Sequence, residues 1–255
     1  MSVFRFKHFE VRNELSAMKV NTDGVLLGAV TEVFPQDRNV LDVGTGTGTV
    51  ALMIAQRLQA VAENGAWHVL GIDIDAPSAT EASCNFQHSP WSAHLVAQRT
   101  GLQSFASNAQ FPEDGYDLIV SNPPYYDNSL KSPESRRNSA RHTGDPEDPA
   151  GTEVLSYREI LEYSSEALSA RGRISVILPS DQEKPLLRYA GMCGFVPWKM
   201  LRIKSVDRKP VSRLIVQLIR KGCSAGFPVE ESLTLLDEKG KRTSQHASLV
   251  TDYYL

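Results

Sequence analysis

The chain has 255 residues, of which 41% are hydrophobic and 22% are charged; this composition excludes disordered and fibrous proteins, and the length suits one α/β domain with small additions. No apolar run approaches the roughly 18 residues that cross a bilayer, and the first residues lack a secretion signal, so we expect a cytoplasmic protein and assume a monomer. The net charge of −3 and the three scattered cysteines give no global sign of a polyanionic partner, a disulfide framework or a metal site.

Short apolar runs that end in glycine, an acid or asparagine alternate with helix-like stretches, a pattern typical of βαβ units and a mainly parallel sheet. The predicted strands of these units are 39–44, 68–73, 94–99, 116–121 and 173–178. The predicted helices are 48–60, 76–86, 152–170 and 183–193. Two further strand-like runs, 196–203 and 212–219, predict an antiparallel hairpin that closes the edge of the sheet. We expect a single domain with an N-terminal segment (1–35), a catalytic core (36–222) and a C-terminal strand and helix extension (223–255).

The first predicted strand runs into a glycine-rich turn, in which Asp42 is followed by Gly44, Gly46 and Gly48 at alternate positions. Glycines let the backbone turn tightly and approach a ligand, and the helix that follows offers free N–H donors. Nicotinamide enzymes instead carry G-x-G-x-x-G and bind a pyrophosphate. An acid ahead of the glycines suits a cationic ligand, so the turn indicates S-adenosylmethionine, which has an ammonium and a sulfonium group and no phosphate.

The second predicted strand ends in Asp73, Ile74 and Asp75. A carboxylate at this place accepts hydrogen bonds from the two ribose hydroxyls of a bound nucleoside, and Asp73 is the candidate. Asp75 precedes a helix-like run, which favours a role as helix N-cap. We therefore predict that Asp73 and Ile74 bind the cofactor.

The fourth predicted strand ends in Asn122, Pro123, Pro124 and Tyr125. Two prolines stiffen this turn and remove backbone donors, so the Asn122 side-chain oxygen and the Pro123 carbonyl are expected to accept both hydrogens of a planar amine. Tyr125 offers an aromatic face on which the acceptor can stack. The motif predicts methylation of an amino nitrogen by positioning and not by a strong base, with Asn122 also facing the cofactor. The alternative, an ordinary proline turn with a packed tyrosine, is disfavoured by the glycine motif.

Two basic stretches are candidates for contact with a polyanionic substrate. Residues 125–152 are rich in Pro, Ser, Asp and Arg, and so long a loop in a compact domain is usually functional or mobile. Its candidates are Tyr125, Tyr126, Arg136, Arg137 and Arg141. Between residues 199 and 221 the chain carries eight lysines and arginines against one acid. The candidates there are Arg208, Lys209 and Arg213. A solvated surface is the alternative for either stretch.

The combined motifs resemble class I S-adenosylmethionine-dependent methyltransferases that carry an NPPY motif. Residues 19–28 and further matches over nearly the whole chain resemble the bacterial tRNA1(Val) (adenine-N6)-methyltransferase family. This resemblance implies a Rossmann-like fold with a seven-stranded, mostly parallel sheet, an antiparallel hairpin at its edge and helices on both faces. It implies tRNA as the partner and N6 of the adenosine 3′ of the valine anticodon as the acceptor, and it adds Lys19, Thr22 and Asp23 to the expected cofactor site.

The chain departs from the superfamily at one point. An acid commonly follows the third strand and holds the amino group of the cofactor adenine, whereas this chain has Thr100, Gly101 and Leu102 after Arg99. No adenine-binding residue is therefore assigned from the sequence. Protein-glutamine and rRNA guanine-N2 methyltransferases, which resemble the chain at the same turn, are alternatives, as is a non-catalytic RNA-binding module.

Overall fold

A computed structural model describes residues 2–62, 65–108, 111–124, 155–223 and 226–254. A small antiparallel hairpin comes first, formed by β1 (Val3–Arg5) and β2 (Glu10–Arg12). The later strands are β3 (Asn39–Val43), β4 (His68–Asp73), β5 (Leu95–Arg99), β6 (Tyr116–Ser121), β7 (Leu168–Pro179), β8 (Phe195–Val206), β9 (Arg213–Arg220) and β10 (Val229–Leu236). The α-helices of these ranges are α1 (Thr22–Val30), α2 (Thr49–Val61), α3 (Ala76–Gln87), α4 (Leu102–Asn108), α5 (Tyr157–Ala167), α6 (Glu183–Met192) and α7 (Ser244–Leu249).

Within the described ranges the later strands form one eight-stranded sheet, in the order β10-β8-β9-β7-β6-β3-β4-β5. β3 is a switch point, because β4 lies on one side of it and β6 on the other, both parallel to it. Val43, the last residue of β3, pairs with Ile72 in β4 and with Ser121 in β6. Ligands of open α/β sheets bind in the crevice outside the strand ends at such a point. The topology therefore directs the glycine turn and the Asn122 turn into one crevice.

Apolar side chains alternate between the two faces of the central strands, and helices cover both faces. In β6, Leu118 and Val120 belong to the core that includes α1, α2 and α3, whereas Ile119 belongs to the core that includes α4, α5 and α6. Strands buried on both faces read as nearly continuous apolar runs, which is why the sequence revealed them clearly. The site accordingly rests on strands that are packed from both sides.

The C-terminal segment contacts both the sheet and the N-terminal hairpin. β10 pairs in parallel with β8. Beyond α7, the Tyr253 carbonyl accepts a hydrogen bond from the Lys7 backbone N–H at 2.8 Å, and Lys7 Nζ donates to the Thr251 carbonyl at 2.6 Å. The rings of Phe6 and Tyr254 stack with their centroids 6.1 Å apart. The first strands of the chain are thus fastened by its last residues.

The predicted fold is confirmed, and two of the differences from the predicted elements lie at the edge of the sheet and at the end of α5. The seven strands β3–β9 form the expected mostly parallel sheet with an antiparallel hairpin, but β10 covers that hairpin as an eighth strand, because its backbone pairs along β8 from Lys199 to Val206. The helix predicted over 152–170 ends at Ala167. Leu168 pairs instead with Tyr116 of β6, so bonding to the sheet replaces the last helical turn.

Candidate active site

The glycine turn after β3 is held against the end of β4. The backbone N–H groups of Gly44 and Thr45 both donate to the Ile72 carbonyl, at 2.9 and 3.0 Å. The three glycines of the motif have φ values of 72°, 57° and 80°, a left-handed conformation that favours glycine. At Gly48, the N-cap of α2, an added Cβ would lie 2.5 Å from the Phe86 ring. This glycine therefore also sets how closely α3 packs against the turn.

Asp73 fixes the turn from the end of β4. Its Oδ2 accepts a hydrogen bond from Gly46 N at 2.8 Å, and its Oδ1 accepts one from Asp75 N at 2.9 Å. Asp75 caps α3 by accepting from Ser78 N at 3.0 Å, which confirms the predicted N-cap. Burial raises the pKa of Asp73 against the opposing effect of its two hydrogen bonds. Each carboxylate oxygen keeps a second lone pair that can accept from a ligand hydroxyl.

The Asn-Pro-Pro corner after β6 lies beside the glycine turn. The Ser121 hydroxyl donates to the Val43 carbonyl at 2.7 Å and so joins the ends of β6 and β3. Asn122 follows at once, and its Nδ2 lies 3.8 Å from the Met18 sulfur. Pro123 is buried, and Pro124 is half-buried at the wall of a cavity.

That cavity, of about 350 Å³, has the size of a small-molecule site. The predicted site residues in its lining are Gly44, Gly46, Asp73, Ile74, Asn122 and Pro124. A second cavity of about 30 Å³ shares Gly44, Gly46 and Asn122 with the first and extends to Lys19. Asn122 thus lies where the two cavities meet.

Residues 13–20, here called the N-terminal strap, form a wall of the larger cavity through Ala17 and Met18. Glu81 of α3 holds the strap in place, and it is only 2% exposed. Its carboxylate accepts hydrogen bonds from the backbone N–H groups of Glu14, Leu15 and Ser16, at 2.6, 2.8 and 2.9 Å. No local motif predicted this role.

Asn85, one helical turn after Glu81, connects the same region to the glycine turn. Its Oδ1 accepts from Arg12 N at 2.8 Å, and its Nδ2 donates to the Thr47 carbonyl at 2.8 Å. The signal that could have found both residues is their spacing of four on a helix face that otherwise buries Ala82 and Phe86. One face of α3 therefore fixes the strap and the glycine turn together.

Comparison with known proteins decides the family. A family model described as a methyltransferase domain matches residues 40–136. The tRNA1(Val) (adenine(37)-N6)-methyltransferases of Bacteroides fragilis and Pedobacter heparinus are each 37% identical to the chain, over 99% and 100% of its length and 97% and 98% of theirs. The chain belongs to this family. A predicted O-methyltransferase from Agrobacterium tumefaciens shares the fold, with a TM-score of 0.65 at 14% identity over 91% of this chain and 96% of that one.

The chain is therefore a methyltransferase of this family, with S-adenosylmethionine as its cofactor, and the larger cavity fits that molecule. Its described lining contains three carboxylates, from Asp73, Asp75 and Glu159, and no lysine or arginine. Such a lining attracts a sulfonium and would repel a pyrophosphate. Ile74 and Leu102 supply apolar surface for a purine ring, and Asp73 can accept from ribose hydroxyls. The family's predicted cofactor thus agrees with the charge and shape of the site.

Four residues predicted to bind the cofactor line neither cavity: Thr22, Asp23, Asp42 and Gly48. Thr22 is exposed in the first turn of α1, and nothing among the described contacts connects it with the cavity. The Asp23 carboxylate instead pairs with Arg213 at 2.8 Å. Gly48 has the packing role described above. Lys19 lines only the smaller cavity, and cofactor contact by these residues stays a prediction.

Asp42 lies beneath the glycine turn and not in the cavity, where a cation was expected to meet it. It is 1% exposed, and its Oδ2 accepts a hydrogen bond from the Thr45 hydroxyl at 2.7 Å. Burial raises the pKa of Asp42 to about 7, against hydrogen bonds from Thr45 and the Ala51 backbone that lower it. Its carboxyl therefore holds the glycine turn through the Thr45 hydroxyl.

The turn of the β8–β9 hairpin lies at the same edge of the sheet as Asn122, because Pro179 at the end of β7 pairs with Arg213 at the start of β9. Arg208 and Lys209 are exposed in this turn. Within the described ranges neither has an acidic partner within 4 Å, whereas Arg213 pairs with Asp23. The hairpin therefore presents two cations beside the crevice.

The predicted substrate residues Tyr125, Tyr126, Arg136, Arg137 and Arg141 lie outside the described residues, so their roles stay predictions. Among the described residues there is no group of three or more His, Cys, Asp or Glu side chains that could hold a metal ion. None of the described helices combines the length and apolar character that spanning a bilayer requires.

Proposed function

We propose that the chain transfers a methyl group from S-adenosylmethionine to N6 of an adenine in tRNA, namely adenosine 37 of tRNA1(Val), as the names of its relatives state for those proteins. The observation that carries the proposal is the position of Asn122, which lines both cavities beside the glycine turn. A tRNA substrate implies a cytoplasmic enzyme, and this localisation is part of the proposal.

Asn122 and Pro123 are the residues that we assign to the acceptor amine. The Asn122 side-chain oxygen and the Pro123 carbonyl each accept one N–H of the amine, which draws the nitrogen toward tetrahedral geometry and directs its lone pair into the cofactor cavity. S-adenosylmethionine supplies an electrophilic methyl group there. Since Ser121 is bonded to the end of β3 and two prolines follow Asn122, this corner is rigid, and rigid positioning lowers the barrier without a strong base.

The same two acceptors hold the amine until the methylated nitrogen loses one proton to solvent. Positive charge develops on the amino nitrogen as it is methylated, so its N–H groups become more acidic and their bonds to the two oxygens strengthen. Pro124 keeps the corner stiff, and Tyr125 is assigned to stacking on the acceptor ring. The tRNA backbone is assigned to Arg208 and Lys209, to Arg213 next to Asp23, and to Arg136, Arg137 and Arg141.

Labelled methyl transfer to total tRNA that lacks the modification, followed by nucleoside analysis, tests the proposal. The expected product is N6-methyladenosine, confined to one tRNA. N2-methylguanosine from ribosomal RNA, or label in protein glutamine, would instead support the alternative acceptors. The absence of any transfer together with tRNA binding would support a non-catalytic RNA-binding module.

A further inference from the structure

The purine end of the cofactor cavity lacks the acid that commonly follows the third strand of this fold. The described residues after β5 are Thr100, Gly101 and Leu102. The Thr100 hydroxyl donates to the Gly101 carbonyl at 3.2 Å, so only the lone pairs of its oxygen remain for a ligand. An exocyclic amine that is buried without an acceptor costs binding free energy, and a side-chain carbonyl at the cavity wall is a better acceptor for it than this hydroxyl.

Gln103 and Glu159 both line this end of the cavity, although they lie 56 positions apart in the sequence. Gln103 is at the exposed start of α4, and Glu159 is in the first turn of α5. The Gln103 Nε2 donates a hydrogen bond to Glu159 Oε1. A side chain of α4 is thereby held by a side chain of α5 at the wall of the cavity.

The Glu159 carboxylate is itself fixed by a capping box. Its Oε2 accepts from the Ser156 backbone N–H at 2.8 Å and from the Ser156 hydroxyl at 2.9 Å. Since a carboxylate only accepts, it selects the orientation in which the NH₂ of Gln103 faces it. Gln103 Oε1 accepts no hydrogen bond from the described residues, so its lone pairs are available to a ligand.

We propose that Gln103 is the residue that recognises the adenine of the cofactor, its Oε1 accepting a hydrogen bond from the 6-amino group, and that Glu159 is the positioning residue that orients it. The pair replaces the missing acid after β5. The inference rests on the proposed function, since it requires S-adenosylmethionine in the larger cavity. It makes the 6-amino group a determinant of affinity.

Binding of two probes by calorimetry tests the assignment without turnover. The probes are S-adenosylhomocysteine and its deamino analogue, which carries hydrogen in place of the 6-amino group. The wild-type protein should bind the deamino analogue about tenfold more weakly, the size of one net hydrogen bond. Gln103→Leu should bind both probes equally, with a Kd close to that of the wild type for the deamino analogue. Glu159→Ala should also reduce the ratio between the Kd values of the two probes, because the amide of Gln103 is then free to rotate.

Gln87→Leu, an exposed glutamine at the far end of α3, is the matched control and should keep the full preference. A wild-type protein that binds both probes equally, or a Gln103→Leu variant that keeps the tenfold ratio, would overturn the assignment while leaving the methyltransferase intact. An unchanged ratio in Glu159→Ala would contradict its positioning role. A wild-type protein that binds neither probe would contradict the proposed function itself, and with it this inference.

Discussion

The two halves of the crevice are built by different interactions. In the cofactor half, which comprises the glycine turn, the N-terminal strap and α3, buried side chains such as Glu81 and Asp73 bond to backbone N–H groups. In the hairpin half, formed by β8, β9 and β10, cations pair with acids: Lys199 with Glu32 at 3.0 Å and Arg202 with Glu183 at 2.6 Å. The cofactor half is held by hydrogen bonds to the main chain, and the hairpin half is held by partly exposed ion pairs.

The difference shows how a chain of negative net charge can carry a basic face. In the part of the chain that the structure describes, four of the eight cations of the run from 199 to 221 pair with an acid, namely Lys199, Arg202, Lys204 and Arg213. Arg220 donates to three backbone carbonyls, which orient its guanidinium without neutralising it. Partly exposed pairs contribute little stability and cancel each other's field at a distance. Near the crevice the cations of this run without an acidic partner among the described residues are Arg208 and Lys209, so a count of its basic residues overstates the positive potential there.

The largest expected effect comes from a change at Asn122, where the cofactor half of the crevice meets the acceptor amine. Asn122→Ala should slow methyl transfer by about a hundredfold or more, the usual consequence of losing an oriented hydrogen-bonding group in a transition state. The Kd for S-adenosylmethionine should change by less than about threefold. Single-turnover transfer and calorimetry measure the two quantities. Asn108→Ala, an exposed asparagine of α4, is the control, and undiminished transfer by Asn122→Ala would contradict the mechanism.

Release of the strap tests whether its backbone bonds hold the cofactor half together. Glu81→Ala leaves three N–H groups without their acceptor and should cost about 2–4 kcal/mol of unfolding free energy. Cofactor affinity should fall about tenfold, because the wall formed by Ala17 and Met18 is loosened. Urea unfolding and calorimetry are the measurements. Thr80→Ala, an exposed neighbour on α3, should change neither the unfolding free energy nor the cofactor Kd. If Glu81→Ala bound the cofactor with the wild-type Kd, the strap would not contribute to the binding site.

Asp42, in the cofactor half, should make the free energy of unfolding depend on pH. Because burial raises the pKa of Asp42 to about 7 in the folded protein, from an ordinary value of 3.8, the folded state binds more protons than the unfolded state between these values. Stability should therefore fall as pH rises from about 4 to 7, by on the order of 3 kcal/mol relative to Asp42→Asn. Urea unfolding at pH 5 and 8 measures the difference. Asp114→Asn replaces an exposed acid and should show the same change in unfolding free energy between these pH values as the wild type. The same change in Asp42→Asn as in the wild type would contradict the assignment.

The smallest effect concerns the hairpin half. Replacing Arg208 and Lys209 together by alanine should weaken tRNA binding and lower the slope of log K against log salt by about 2, one for each phosphate contact. Fluorescence titration at several salt concentrations measures the slope. Lys221→Ala removes an exposed cation at the opposite end of the same hairpin and should leave the slope unchanged. Equal effects of the two changes would show that the hairpin acts through general charge alone.

The features that could be predicted from the sequence are those whose cause is local. The strands around Val40 and Leu118 are short apolar runs, and the Gly44 and Asn122 turns are each coded by consecutive residues at strand ends. α1 was missed, because Val25, Leu26 and Leu27 are all buried and the segment has no amphipathic period to reveal it.

The remaining features depend on partners far apart in the chain. Glu81 contacts residues 65 to 67 positions earlier, and Lys199 lies 167 positions from Glu32. The residues next to Glu81 and Lys199 in the sequence do not indicate which distant residues these two contact. For the same reason the sequence did not indicate that Asp23 pairs with Arg213, 190 positions away.

The bond between Lys7 and Thr251 spans 244 positions of the chain, and this separation has a consequence during synthesis. At 5–20 residues per second, roughly 12 to 50 s pass between the appearance of the first strands and that of the tail that fastens them. Until then the hairpin ahead of the strap lacks those contacts. The N-terminal hairpin accordingly gains its contacts with the tail late in translation, after the central strands have been made.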